Sequence, residues 1–228
     1  MKKIYYYLIF GIILYIIISK LINGEKQTQQ LNNSNMKWAI LLTSCVRTDK
    51  PDDPRMSYYL EAIKNWLENT TLPIFIVESS NYTFPEFANT RLKVCSFNLT
   101  NQLGPSQYEA KSIKYAMEYF KEDLQSYTHI MKVTGRYYLN IEHILPTIKN
   151  VDIILQSQYD DRINWNNSEI FGYRKGIEND FLNTILDEGF MEMAIYKYGQ
   201  SHSFERLPPI PNIKKIRRGG DNLIIDPL

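Results

Sequence analysis

The sequence predicts an α/β domain: a mostly parallel central sheet with helices on both faces, preceded by an N-terminal transmembrane helix. Three observations predict it. Short, near-continuous apolar runs recur along the chain and read as strands buried on both faces. Between them lie stretches with apolar residues at helical spacing. The first 22 residues hold an apolar run, 4–22, interrupted only by Lys20 and long enough to span a bilayer.

The chain opens MKKIYYYLIFGIILYIIISKLI, an uncharged run from Ile4 to Ser19 behind Lys2 and Lys3. With Leu21 and Ile22 added, and Lys20 snorkelling, residues 4–22 can cross a lipid bilayer. Tyr5, Tyr6 and Tyr7 suit the aromatic belt, and the two lysines favour a cytosolic N-terminus. A cleaved signal peptide would need small residues in an A-x-A-like pattern. Gly24 is small but Ile22 is not, so an uncleaved anchor is expected. Residues 1–22 thus form the cytosolic tip and signal anchor, 23–36 a polar flexible stem, and 37–228 a single lumenal domain. Asn32, Asn69, Asn81, Asn98 and Asn166 each begin a glycosylation triplet, although an Asn-rich chain makes such triplets by chance.

KWAILLTSCV (37–46) is the first expected strand. RTDKPDDP breaks it, and SYYLEAIKNWLEN follows as a helix with Leu60, Ile63, Trp66 and Leu67 on one face. LPIFIVESS (72–80) and RLKVCSFN (91–98) are the second and third strands. After the NQLGPS turn, Ser106 and Glu109 match a capping box for a helix reaching Tyr119. Its stripe is Ile113, Ala116, Met117 and Phe120. THIMKV, VDIILQSQ (151–158) and SEIFGYRKG (168–176) complete the strands. DEGFMEMAIYKYG reads as an amphipathic helix. Ligands of such sheets bind beyond the carboxyl ends of the strands. That directs attention to Thr43–Arg47, Glu78–Asn81 and Lys132–Tyr137.

Composition excludes several classes. Net charge is +1, so no global field draws nucleic acid. Two cysteines, Cys45 and Cys95, make no disulfide framework and no zinc cluster. No G-x-S-x-G elbow or H-E-x-x-H helix supports a hydrolase.

The order of pieces resembles a GT-A glycosyltransferase. The first strand ends in small polar residues, Thr43 and Ser44. IVESSN resembles the family's second-strand ending, where an acidic residue and small polar ones contact the nucleoside. LGPSQYEAKSIKYAMEYF resembles the loop and helix leading to the metal-binding strand. YTHIMKVTGRYYL sits where that strand ends in the acidic DxD motif, and WNNSEIFGYRKG resembles the later segment lining the acceptor side. The resemblance spans roughly residues 37–176. It implies a nucleotide-sugar donor, a glycan or glycoprotein acceptor, and a type II Golgi or ER membrane layout. Thr43, Ser44, Arg47, Glu78 and Ser79 would lie around the donor.

Here Thr134-Gly135-Arg136 replaces DxD. Most such enzymes hold Mn²⁺ or Mg²⁺ with those carboxylates. A guanidinium can bind phosphate without metal, and glycine lets backbone approach a ligand. Lys132, Thr134, Gly135 and Arg136 are therefore expected as a metal-free diphosphate seat. The rival reading has Lys132 and Arg136 capping a strand end and pairing with surface carboxylates. Asp160 and Asp161, after the fifth strand, are candidates for the catalytic base or for ligands of a divalent ion. Glu192 and Glu169 are rival bases. Lys214, Lys215, Arg217 and Arg218 beside Gly219-Gly220 suit a loop closing over the donor, or a solvated basic surface. The loss of DxD also fits a non-catalytic carbohydrate-binding or assembly protein on the same scaffold.

Overall fold

The computed structural model describes residues 14–15, 17–20, 36–46, 54–88, 90–98, 103–156, 164–208, 210, 214–216 and 224–227. Most of the expected anchor lies outside them. Among the described residues no helix is long and apolar enough to cross a membrane.

The domain runs β1 (Trp38–Ser44), α1 (Arg55–Asn69), β2 (Ile74–Glu78), β3 (Lys93–Ser96), α2 (Pro105–Tyr119), β4 (His129–Thr134), β5 (Ile153–Leu155) and β6 (Ile170–Arg174). Then come α3 (Glu178–Glu188), α4 (Met191–Ser201), β7 (Phe204–Arg206), β8 (Lys214–Ile216) and β9 (Ile224–Pro227). Seven strands form one sheet in the order β3-β2-β1-β4-β6-β5-β7, and β8 pairs with β9 separately. The sheet is parallel except for β6, which runs antiparallel to β4 and β5. The expected α/β class and mostly parallel sheet are present.

Alternation along β1 explains the layers. Trp38, Ile40 and Leu42 point to one face, and Ala39 and Leu41 to the other. On the first face α1 inserts Tyr59, Ile63 and Trp66 against Ile74, Ile76, Met131 and Val133. On the second face α2, α3 and α4 pack Ala110, Ile113, Phe181 and Ile195 against Phe75, Val77, Phe171 and Tyr173. Trp66 is fully buried, and its indole N–H donates to the Tyr137 carbonyl at 2.9 Å. That bond ties α1 to the segment after β4.

Two local expectations are corrected. The second helix begins at Pro105, not at the Ser106 cap. Proline fits the first helical position, and Gln107 Oε1 reaches back to the Gly104 N–H at 3.2 Å. Glu109 is drawn inward instead. The stretch around Glu192 is two helices. Gly189 adopts φ 74 and ends α3, its N–H bonding the Ile185 carbonyl, so that α4 starts afresh at Met191.

Candidate functional site

The topology opens a crevice between β1 and β4. From β1 the chain proceeds through α1 to β2 on one side. It then returns through α2, on the opposite face, to β4 on the other side. Strand order therefore reverses here, and the carboxyl ends of β1, β2 and β4 face a common cleft.

Glu78 organises the left wall. It is fully buried at the end of β2. One carboxylate oxygen accepts the Val46 N–H at 2.9 Å and the Ser80 hydroxyl at 2.5 Å. The other accepts the N–H groups of Ser80 at 2.9 Å and Tyr82 at 2.7 Å. One carboxylate thus pins the loops after both β1 and β2. Ser79 donates both N–H and hydroxyl to the Ser44 carbonyl, and Ser44 Oγ donates to Val77. Glu78, Ser79 and Ser44 shape the wall through these bonds. Arg47 lies outside the described residues.

The floor is the end of β4. Lys132 is fully buried. Its ammonium lies 2.7 Å from Glu109 Oε1 on α2, donates to the Ser168 carbonyl at 2.7 Å, and reaches Thr134 Oγ1 at 3.2 Å. It also sits 5.1 Å from the Phe171 ring centroid. Thr43 Oγ1 donates to the same Glu109 oxygen at 2.7 Å. Lys132 was expected beside Arg136 as a phosphate ligand. Its donors instead point into the protein, because a buried ammonium requires full hydrogen bonding.

Gly135 is needed for packing. Its N–H donates to the Thr43 carbonyl at 2.8 Å, and a Cβ would stand 2.9 Å from that oxygen and 3.3 Å from the Tyr59 ring. The tight crossing turns Arg136 out of the sheet. Arg136 is half-buried, and its Nε is buried with no hydrogen-bond partner among the described residues. Its guanidinium carbon lies 5.4 Å from the Tyr137 ring centroid. Beneath it, burial pushes the Tyr59 phenol above its usual range. A guanidinium suits an anion and repels a divalent cation. Among the described residues no group of three or more His, Cys, Asp or Glu could hold a metal.

The right wall comes from β6, α4 and the residue after β7's partner strand. Because β6 is antiparallel, residues 166–169 reach the same edge as Thr134, whose N–H donates to the Glu169 carbonyl at 2.8 Å. Glu192, in the first turn of α4, accepts the Ser168 hydroxyl at 2.9 Å, and its carbonyl accepts the Asn166 N–H at 3.2 Å. Gln156 follows β5, with Oε1 on the Ile170 N–H at 3.2 Å and a buried Nε2 lacking a partner among the described residues. Arg206 donates to Asn166 Oδ1 at 2.7 Å and to the Gln156 carbonyl at 3.2 Å. The fold thus brings Glu192 and Glu169 to the cleft edge. Asp160 and Asp161 lie outside the described residues, as do Arg217 and Arg218.

Cys45 and Cys95 are both free. Burial pushes the Cys95 thiol up to about 11, which removes it as a nucleophile at neutral pH. Sequence reading missed Glu109, Gln156 and Arg206 as site-edge residues. The one signal was Lys132 itself: a lysine inside an apolar strand demands a buried acid, though only the fold identifies which.

No protein-family model matches the sequence. No curated protein matches it either. Among solved structures, the chain is similar to a glycosyltransferase involved in the glycosylation of the major capsid of PBCV-1, at 11% identity and a TM-score of 0.38. The match covers 64% of this chain and 66% of that one, so it spans just under two thirds of that protein's length. A TM-score this low does not establish a common fold.

Proposed function

We propose that this protein is a membrane-anchored glycosyltransferase that moves a sugar from a nucleotide-sugar donor to a hydroxyl of a glycan or glycoprotein. The observation that carries this reading is Arg136: a guanidinium at the switch-point crevice, set on a glycine turn, with a buried Nε that has no hydrogen-bond partner among the described residues. Negative charge develops on the leaving diphosphate as the glycosidic bond breaks, so a fixed cation there stabilises the transition state. Arginine binds phosphate in a fork and needs no metal to do so. The loops pinned by Glu78 hold the nucleoside. Glu192 is the base we assign on the right wall: the Ser168 hydroxyl fixes Oε1 and leaves Oε2 for an acceptor hydroxyl. Asp160 and Asp161 remain the rival pair for that role. Residues 4–22 anchor the chain as a type II protein with this domain in the Golgi or ER lumen.

The test is donor binding by the full chain in detergent, wild type against Arg136→Ala. Loss of a charge-assisted contact worth roughly 1.5–3 kcal/mol weakens donor binding about 10- to 100-fold. Unchanged affinity rejects Arg136 as the diphosphate seat. A second reading, a non-catalytic carbohydrate-binding or assembly protein, draws on a β4 end that carries no carboxylate. Donor hydrolysis without acceptor separates the two.

A further inference from the structure

We propose that Lys132 is a positioning residue that joins the two halves of the cleft through one continuous hydrogen-bonded chain. Thr43 at the end of β1 donates to Glu109 on α2 at 2.7 Å. Glu109 receives the Lys132 ammonium at 2.7 Å. Lys132 donates to the Ser168 carbonyl at 2.7 Å, and the Ser168 hydroxyl donates to Glu192 at 2.9 Å. Thr134, the last residue of β4, accepts from the same ammonium at 3.2 Å. Three elements therefore meet at one buried charge, α2, β4 and the lead into β6, and Glu109 and Ser168 extend the chain to β1 and α4.

Stability alone does not require this arrangement. Apolar residues of similar volume often replace a buried ion pair at no cost, or with a gain. The Phe171 ring lies 5.1 Å from the ammonium and offers an apolar contact to a methionine in its place. What a methionine cannot do is fix the Ser168 carbonyl. That carbonyl sets the backbone of Ser168, and the Ser168 hydroxyl sets the Glu192 carboxylate. The lysine thus gives the base on the right wall a defined position relative to the β4 turn that carries Arg136. Misplacement of a reacting group by about 1 Å costs on the order of 100-fold in rate.

The discriminating variant is the double replacement K132M/E109M in the full chain, beside K132M alone. K132M removes the ammonium from the Glu109 carboxylate and lowers the melting temperature. The double variant recovers most of that loss. If Lys132 positions Glu192, the double variant keeps donor affinity within about 3-fold of wild type but stays slow, with kcat reduced roughly 30- to 100-fold. Recovery of both stability and kcat overturns the proposal. S168A cuts only the hydroxyl link, so it melts as wild type and loses kcat to a similar degree. Wild-type kcat in S168A also overturns it, even if the double variant does not fold. The turnover arm rests on the transferase reading, but a second arm does not. In two-dimensional amide NMR, the double variant, or K132M if the double does not fold, shifts the Asn166 and Glu192 resonances, neither of which touches Lys132. If those amides stay in place, the coupling is absent, whatever reaction the protein performs. Shifted amides in a protein that transfers no sugar would reject the transferase reading and keep the coupling.

Discussion

The ammonium of Lys132 lies 2.7 Å from Glu109 Oε1, with the lysine side chain fully buried and the glutamate side chain 20% exposed. The pair is asymmetric, and so are its single deletions. Glu109→Ala strands a charge with no access to water. Lys132→Ala removes the ammonium from a carboxylate that still touches solvent and keeps the Thr43 hydroxyl. Glu109→Ala is therefore the more destabilising, at about 3–5 kcal/mol, and Lys132→Ala falls below it. Thermal melts of the two variants check the order.

Gly135→Ala places a methyl group 2.9 Å from a backbone oxygen that cannot swing away. The variant loses about 1–3 kcal/mol. At roughly 2–4 °C per kcal/mol for a domain of this size, the melting point falls by several degrees. Donor binding weakens with it, because Arg136 follows directly. An unchanged melt would mean that β1 and β4 separate more easily than their hydrogen bond suggests.

His129 sits at the opposite end of β4 from the cleft. Burial holds its imidazole below the usual range, against a smaller upward pull from the Val151 carbonyl. Arg174 pushes it further down and Asp152 pulls it up. The unfolded chain therefore takes up the proton first. The contribution of His129 is complete above about pH 6.5 and is lost as pH falls below it, by at most about 1.4 kcal/mol per pH unit. Melting temperatures between pH 7.5 and 5 should fall, and His129→Gln should flatten that slope. A slope that persists in the variant assigns it to other groups.

Arg91 closes the carboxyl end of α1. Its guanidinium donates to the carbonyls of Trp66, Leu67, Thr70 and Leu72 at 2.6–3.1 Å. Trp66 and Leu67 are among the orphan acceptors of the helix end, Thr70 caps it, and Leu72 lies in the segment that follows. Arg91→Ala costs about 1–2 kcal/mol, a partly exposed site placing it near the lower range for charge-assisted bonds. The glycosylation triplets give a separate check. Asn166 is fully buried and bonded to Arg206, whereas Asn69, Asn81 and Asn98 are exposed. Chain expressed through a secretory pathway should carry no glycan at Asn166. A modified Asn166 would place that residue at the surface.

Much of the fold was legible because its strands are apolar runs and its helices carry stripes. Ile113, Ala116, Met117 and Phe120 are buried as their spacing predicts. On α1 the buried stripe is Tyr59, Ala62, Ile63 and Trp66, with Leu60 and Leu67 only partly covered. β7, three residues long and partly exposed, has too little pattern to be read. The break at Gly189 was hidden inside one continuous amphipathic pattern. At the site, the sequence located the carboxyl-end residues but not their directions. Lys132 and Arg136 share a strand end, yet one is buried against Glu109 and the other turns outward past Gly135. That split depends on what α2 and α1 place on either face, which residue spacing along β4 does not carry.

The most direct test of the central claim is thermal shift of the full chain in detergent against a panel of nucleotide sugars, with Mn²⁺ and with EDTA, for wild type and Arg136→Ala. At a donor concentration of 100 times Kd, binding adds about 2.7 kcal/mol, or roughly 5–10 °C. The account predicts a donor-specific rise in wild type that persists in EDTA and is lost in Arg136→Ala. A rise that needs Mn²⁺ and survives in Arg136→Ala contradicts it and moves the site to Asp160 and Asp161.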